Sequence, residues 1–365
     1  MSRKRSRRSR PAPEYAATVL PGLEDIAGHE IEKTLADAQG LESQRGWTVF
    51  RYPGSPEHLL DLRTTEDIFA ILFRTTSLPP NRKAALPLLL RMANGSRYWD
   101  QAWSSFHRTH RSVKRVTFRV VAQMSGKQGF RRQEVRDAVI SGVQARWPHW
   151  KTVAEDAHVE IWVAVVNTWA TIAIRLSDRT MRHRTYKQEH RPASLRPTMA
   201  AAMVALSKPR SNDRFCDPMC GTGTILAERA QMGPYRDILG GEFDAPTLAA
   251  ARANLASVRE LRNQPVLQLW NACALPIRHQ SLTAVVSNLP FGKQIGSPEA
   301  NPALYARFFE ELKRVLAPGG RAVLLTSEKD LMRELIHRHA EIALDQQVLV
   351  GLLGQSARIY VLRRA

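Results

Sequence analysis

Apolar positions along this chain recur with two periods. A period of two marks strands: Val159, Ile161, Val163 and Val165 share one side, as do Ala170, Ile172, Ile174 and Leu176 in the next run. Shorter apolar runs predict strands at 16–20, 47–51, 68–74 and 116–122. Helical spacing appears over 23–38 through Leu23, Ile26, Ile31 and Leu35, and over 131–146 through Val135, Val139 and Val143. Residues 81–93 also read as helix, and 56–60 begin a short one. In the second half, strands and helices alternate. Strands are predicted at 214–216, 237–242, 266–272, 282–286 and 321–327. Helices are predicted at 196–206, at 225–232, near Pro246 and along Leu304, Phe308, Phe309, Leu312, Val315 and Leu316, ended by Pro318-Gly319-Gly320. Residues 344–353 and 357–362 form a last hairpin around Gly354-Gln355-Ser356. Such alternation predicts an α/β domain on a largely parallel sheet, preceded by α+β modules.

Two turns of that second half carry chemistry. The first is Asp217-Pro218-Met219-Cys220-Gly221-Thr222-Gly223-Thr224, between a short strand and an apolar helix. Gly221 and Gly223 let the backbone approach a ligand closely. A dinucleotide fingerprint would place a third glycine where Leu226 stands. The loop therefore favours S-adenosylmethionine (SAM), with a pyrophosphate ligand disfavoured but still open. Downstream, Glu242 ends the second strand, where a carboxylate accepts hydrogen bonds from ribose hydroxyls. Phe243 is placed to pack on an adenine, and Asp244 to cap the helix at Pro246. Asn271, followed by Ala272, ends the third strand as an acceptor for an adenine amino group, or as a plain turn residue.

The second turn is Asn288-Leu289-Pro290-Phe291-Gly292. An amide oxygen and a backbone carbonyl there accept from a planar exocyclic amine, and the aromatic ring stacks on the base. The amine lone pair then faces a methyl donor. Alone, such a turn is commonly just a turn. Its place after the glycine loop gives it weight.

Charge separates the halves. The 365-residue chain carries 53 Lys and Arg against 34 Asp and Glu, a net +19. Residues 1–192 hold +13 of this and residues 193–365 hold +6. The N-terminal half is thus the polyanion-binding candidate. Residues 1–13 have six basic residues in the first ten and predict a disordered tail. Tyr98, Trp99, Trp103 and Phe130 are candidate base-stacking rings, with core packing the commoner role. The basic stretch 177–191, with Arg179, Arg182, Arg184, Lys187 and Arg191, is a connector that either is solvated or touches phosphate.

Only three cysteines occur, Cys216, Cys220 and Cys273, without paired metal-ligand spacing, which predicts no metal site and suits a reducing cytoplasm. No 18-residue apolar run and no signal-peptide core are found, so a cytoplasmic location is expected.

The order of these pieces resembles the class I SAM-dependent amino-methyltransferases. Pro192-Ala193-Ser194-Leu195-Arg196-Pro197-Thr198, the Asp217 loop, and Asn288-Leu289-Pro290-Phe291-Gly292-Lys293 together resemble the THUMP-domain RNA guanine-N2 methyltransferases of the TrmN type. The resemblance implies a C-terminal Rossmann-like domain with a seven-stranded sheet whose last strand is antiparallel. It implies domains at 14–77 (ferredoxin-like), 78–178 (THUMP, RNA-binding), 179–192 (linker) and 193–365 (methyltransferase). It also implies cofactor contacts from Ser194, Leu195, Arg196, Asp217, Pro218, Cys220, Gly221, Thr222, Gly223, Glu242, Phe243, Asn271, Ala272 and Asn288. Catalysis would fall to Asn288, Leu289, Pro290 and Phe291. The product implied is N2-methylguanosine at position 6 in the tRNA acceptor stem, with no obligate protein partner. Two positions depart from the family pattern. Leu289 replaces a proline that acts through its carbonyl, and Asn271 replaces an Asp, keeping an acceptor without the charge. A DNA adenine-N6 methyltransferase, and a non-catalytic RNA-binding protein with a decayed cofactor site, remain open readings. Because the candidate cofactor residues lie beyond position 193, a fragment 185–365 is expected to bind SAM by itself.

Overall fold

The structure, a computed structural model, describes residues 12–191, 194–259, 261, 263–291, 299–352 and 355–365. Most of the basic tail, Pro192-Ala193 and Gly292-Lys293 lie outside the described residues. The chain divides into two compact units. The first takes residues through Thr18, Glu30–Leu62 and Asp67–Asp178; the second takes Val19–His29, Arg63–Glu66 and Arg179–Ala365.

In chain order the N-terminal elements are β1 (Glu14–Thr18), α1 (Glu24–Thr34), β2 (Gln39–Gln44), β3 (Trp47–Arg51), β4 (Asp67–Thr75), α2 (Arg82–Gly95), α3 (Trp99–Thr109), β5 (Thr117–Ser125), α4 (Arg132–Arg146), β6 (Lys151–Thr152), β7 (Val159–Val166) and β8 (Trp169–Arg175). The strands form one sheet in the order β2-β3-β1-β4-β8-β7-β5-β6. The ferredoxin-like and THUMP stretches thus share a sheet, joined where β4 pairs antiparallel with β8. Strands β5 and β7 are parallel, with α4 in the intervening chain.

Several elements escaped the sequence pattern, β2 and α3 among them. β2 is almost wholly exposed, so it carries no apolar alternation. α3 holds the aromatics Trp99 and Trp103. Two of the four candidate rings take the commoner role, in the core: Trp99 is fully buried and Phe130 is 7% exposed. Trp99 meets Trp147 and Trp150 edge-on, and its indole N–H donates to the Ala93 carbonyl at 2.7 Å. Tyr98 and Trp103 are half-buried.

The second unit continues with α5 (Thr180–His183), α6 (Pro197–Leu206), β9 (Arg214–Asp217), α7 (Thr224–Gln231), β10 (Asp237–Glu242), α8 (Ala245–Ala256), β11 (Val266–Leu269), β12 (Leu282–Asn288), α9 (Asn301–Val315), β13 (Leu316–Thr326), α10 (Lys329–Arg338), β14 (Ile342–Leu352) and β15 (Gln355–Arg364). The seven strands run β11-β10-β9-β12-β13-β15-β14. The first five are parallel; β15 lies antiparallel to both β13 and β14, as expected for this fold. β13 starts five residues before its predicted start, because α9 already ends at Val315.

One sheet face is packed by Met203, Leu226, Leu248 and Leu255, the other by Phe308, Phe309, Leu312 and Met332. Leu20 and Leu23, from the N-terminal end of the chain, belong to the first of these cores. Arg63 belongs to the same unit and pairs with Glu228 on α7 at 2.7 Å. These contacts count against the expectation for fragment 185–365, which would lack part of its own core and both arginine partners of the buried Glu228. They also correct the connector. Arg184 pairs with Glu228 at 3.2 Å, and the buried Lys187 donates to the Leu195 carbonyl, so both serve the fold of this unit rather than phosphate.

Candidate active site

The direction of strand succession reverses between β9 and β12, which are neighbours. In an open α/β sheet, the crevice beyond the strand ends at such a point is where ligands bind. Asp217 ends β9 and Asn288 ends β12, so both turns picked out in the sequence open at this crevice.

The glycine loop is held from several sides. The Cys220 N–H donates to the Gly241 carbonyl at 2.8 Å, and the Gly223 N–H to the Cys220 carbonyl at 2.8 Å. Gly221 and Gly223 have φ of 52° and 77°, the left-handed region that a side chain disfavours. Gly223 lies directly before α7, whose fully buried first turn leaves no room for another entry angle. A Cβ on Gly221 would meet nothing within 4 Å, so the loop presents bare backbone to open space. Thr222 is buried; its hydroxyl meets that of Ser194 at 2.9 Å and its carbonyl accepts from Asn254 at 3.0 Å. Leu195 packs partly into the core, while Arg196 points to solvent and pairs with Glu66 at 3.5 Å.

Asp217 is 1% exposed. Its carboxylate accepts from the Ser287 hydroxyl at 2.7 Å and from the Met219 N–H at 3.3 Å. Burial nevertheless pushes its pKa up to about 7, against these hydrogen bonds and with the help of the Glu242 charge. Burial likewise holds the Cys216 and Cys220 thiols well above their ordinary range, so neither is a thiolate nucleophile near neutrality.

Glu242 is held by backbone donors on both carboxylate oxygens. One carboxylate oxygen accepts from the Gly221 N–H at 3.0 Å, the other from the N–H groups of Phe243 at 2.9 Å and Asp244 at 3.3 Å. The head group is therefore oriented, with acceptor capacity left. Phe243 is 74% exposed, an apolar ring free to cover a flat ligand. Asp244 caps α8 through the Thr247 N–H at 2.9 Å. Of its two open roles, Asn271 takes up that of a turn residue: its side-chain oxygen accepts from the Cys273 N–H at 2.9 Å. Ala272 is buried beside it, and the Trp270 indole donates to the Pro218 carbonyl at 3.0 Å, tying the third turn to the first.

In the second turn, the Leu289 side chain is buried and its N–H donates to the Leu325 carbonyl at 3.0 Å. Phe291 packs partly against the core. The Asn288 side-chain oxygen is buried and has no hydrogen-bond partner among the described residues. Leaving a buried acceptor unpaired costs about 1–3 kcal/mol, which a donor from a ligand would recover. The Pro290 carbonyl, by contrast, is doubly satisfied, by Asn301 Nδ2 at 3.1 Å and Tyr305 Oη at 2.8 Å.

Sequence reasoning missed Ser287, Asn254, Asn301, Tyr305 and the Glu228 cluster. Ser287 was visible as the neighbour of Asn288; nothing local marks the others. No helix of the described residues is long and apolar enough to cross a membrane.

Comparison with known proteins agrees with this architecture. Residues 184–353 match the RMKL-like methyltransferase domain, and residues 100–175 match the THUMP domain. The mouse tRNA (guanine(6)-N(2))-methyltransferase THUMP3 is 30% identical over 261 residues, covering 68% of this chain and 51% of that protein. The chain thus spans about half the length of this relative. The tRNA (guanine(6)-N2)-methyltransferase of Thermus thermophilus is 29% identical over 361 residues, 95% of this chain and 98% of that one. The crystal structure of TrmN from Thermus thermophilus superposes with a TM-score of 0.81 at 26% identity, covering 97% of this chain and all of that one. With the strand order and the glycine loop in place, the chain joins a THUMP domain to an RMKL-like methyltransferase domain of class I fold, and it is similar along nearly its whole length to TrmN of Thermus thermophilus.

Proposed function

We propose that this protein methylates the exocyclic N2 of a guanine in tRNA, with SAM as methyl donor. The observation that carries the reading is the buried, unpartnered oxygen of Asn288, at the strand end next to the glycine loop. A planar amine brings the donors that this oxygen lacks. The names of the relatives supply guanine N2, tRNA and position 6.

Bound SAM supplies a methyl group on a positively charged sulfur. Glu242 and the glycine loop would hold its ribose and methionine ends, with Phe243 on the adenine. Ser194, Leu195, Arg196, Pro218 and Ala272 would frame the same crevice. Asn271 would reach the adenine only through the capacity its own turn leaves free. Asn288 Oδ1 and the Leu289 carbonyl accept the two amine hydrogens, and Phe291 stacks on the base. The amine lone pair would attack the methyl carbon in line as the methyl–sulfur bond breaks and the neutral thioether leaves; the positive charge growing on nitrogen would sit between two fixed acceptors, and the amine would then lose one proton to water. No covalent enzyme intermediate forms, consistent with thiols kept protonated by burial.

The first compact unit and the basic tail would grip RNA through phosphate contacts, and the second unit would carry out transfer. The target guanine leaves its helix to reach the strand-end crevice. A cytoplasmic location and action without an obligate protein partner complete the reading. Radiolabelled transfer to tRNA, with digestion to nucleosides, tests it: N2-methylguanosine is the expected product. Label in N6-methyladenine of DNA, or none in any nucleic acid, would overturn it.

A further inference from the structure

Asn301, the first residue of α9, is 1% exposed and stands outside the motifs that identify the family. Its amide orientation is fixed by chemistry. The Pro290 carbonyl only accepts, so the group facing it at 3.1 Å is Nδ2. The other donor on that carbonyl is Tyr305 Oη, which also meets Thr326 Oγ1 at 2.7 Å. With its single proton on Pro290, Tyr305 accepts from Thr326, whose hydroxyl in turn accepts from the Glu328 N–H at 3.0 Å. The catalytic turn is therefore braced through one carbonyl by a chain of hydrogen bonds from β13 and α9.

This brace leaves Asn301 Oδ1 over. It is buried and has no partner among the described residues, the same condition as Asn288 Oδ1. Two buried acceptors on residues bordering one catalytic turn lack donors. Guanine carries contiguous donors on its Watson–Crick edge: the N2 amine and the N1–H. Adenine has an acceptor at N1 beside its amine. An acceptor oxygen near the amine site therefore favours guanine and leaves two lone pairs opposed for adenine.

We propose that Asn301 is a specificity residue of the transfer site, its Nδ2 anchored on Pro290 and its Oδ1 accepting the N1–H of the target guanine. This rests on the guanine-N2 reading above and adds to it the means of telling guanine from other amino-purines.

The test compares tRNA bearing guanine with tRNA bearing 2-aminopurine at the target position. The analogue keeps the 2-amino group and lacks the N1–H. Wild-type enzyme is expected to methylate guanine at least tenfold faster, in kcat/KM. Asn301→Ala should reduce that ratio by about tenfold, losing more on guanine than on the analogue. Tyr305→Phe removes a brace donor without touching Oδ1, so it should slow both substrates alike and keep the ratio. SAM affinity, read by calorimetry, reports that each variant is folded. If Asn301→Ala does not fold, the wild-type ratio alone decides: equal rates on the two substrates overturn the inference. An Asn301→Ala ratio equal to wild type overturns it as well. A wild-type enzyme that methylates the 2-amino group of neither substrate overturns the guanine-N2 reading itself, and this inference with it.

Discussion

Arg63 and Glu228 stand 165 positions apart in sequence and form an ion pair of 2.7 Å, with the Glu228 side chain completely buried. Arg184 and Tyr186 complete the shell around that carboxylate, at 3.2 and 2.7 Å. A short piece of the N-terminal half is thereby part of the methyltransferase unit.

Removing Arg63 should destabilise the protein. A buried charge that loses a partner costs about 3–5 kcal/mol, and here two partners remain, so Arg63→Ala is expected to cost about 2–4 kcal/mol. Denaturant unfolding measures it. By the same argument, fragment 185–365 should fail to give a cooperative transition or bind SAM, while the full chain does both.

Acid should act through the same carboxylate. Burial pushes Glu228 up, but the Arg63 and Arg184 charges and the hydrogen bonds outweigh it, and its pKa lies below the ordinary value of 4.5. A carboxyl with a depressed folded pKa stabilises the fold above its unfolded pKa and loses that contribution as pH falls through the folded one. Glu228→Gln should therefore lose most stability near pH 7 and little more on acidification below pH 4.5, where wild type declines. Parallel acid curves for the two proteins would count against this role.

Asp217 titrates with the opposite sign. Its pKa is raised to about 7, so the folded protein favours the protonated form below that pH. SAM is cationic, so its affinity should rise as pH passes through about 7 and Asp217 ionises. Ser287→Ala removes a donor to the carboxylate, and should move that limb to higher pH. Asp217→Asn should flatten it. Calorimetric titrations of SAM across pH 6–9 decide this; a flat wild-type profile would remove Asp217 from the site.

Glu242→Ala should weaken SAM by about 1–3 kcal/mol, the scale of a lost charge-assisted hydrogen bond. RNA affinity, measured alongside, should stay within about twofold of wild type, since Glu242 accepts from the glycine loop and not from the basic half.

What the sequence disclosed was local. The glycine loop, Glu242 and the Asn288 turn each declare themselves within a few residues, and their order along the chain gives the fold. The contacts it concealed join distant segments. Nothing near Arg63 points to Glu228, and nothing near Asn301 points to Pro290. β2 was hidden because both its faces meet water, and the two open roles of Trp99 could not be separated because a buried indole and a stacking indole look alike in sequence. Asn271 showed an acceptor, while its engagement with the Cys273 N–H needed coordinates.

The central claim is that Asn288 holds the amine of a guanine for methyl transfer. Its most direct test is single-turnover methylation of tRNA by wild type and Asn288→Ala, with SAM affinity measured in parallel. The account predicts N2-methylguanosine from wild type, a rate lower by about two orders of magnitude in the variant, the scale of one lost transition-state hydrogen bond, and SAM affinity within about threefold. A variant that turns over at near wild-type rate would contradict it.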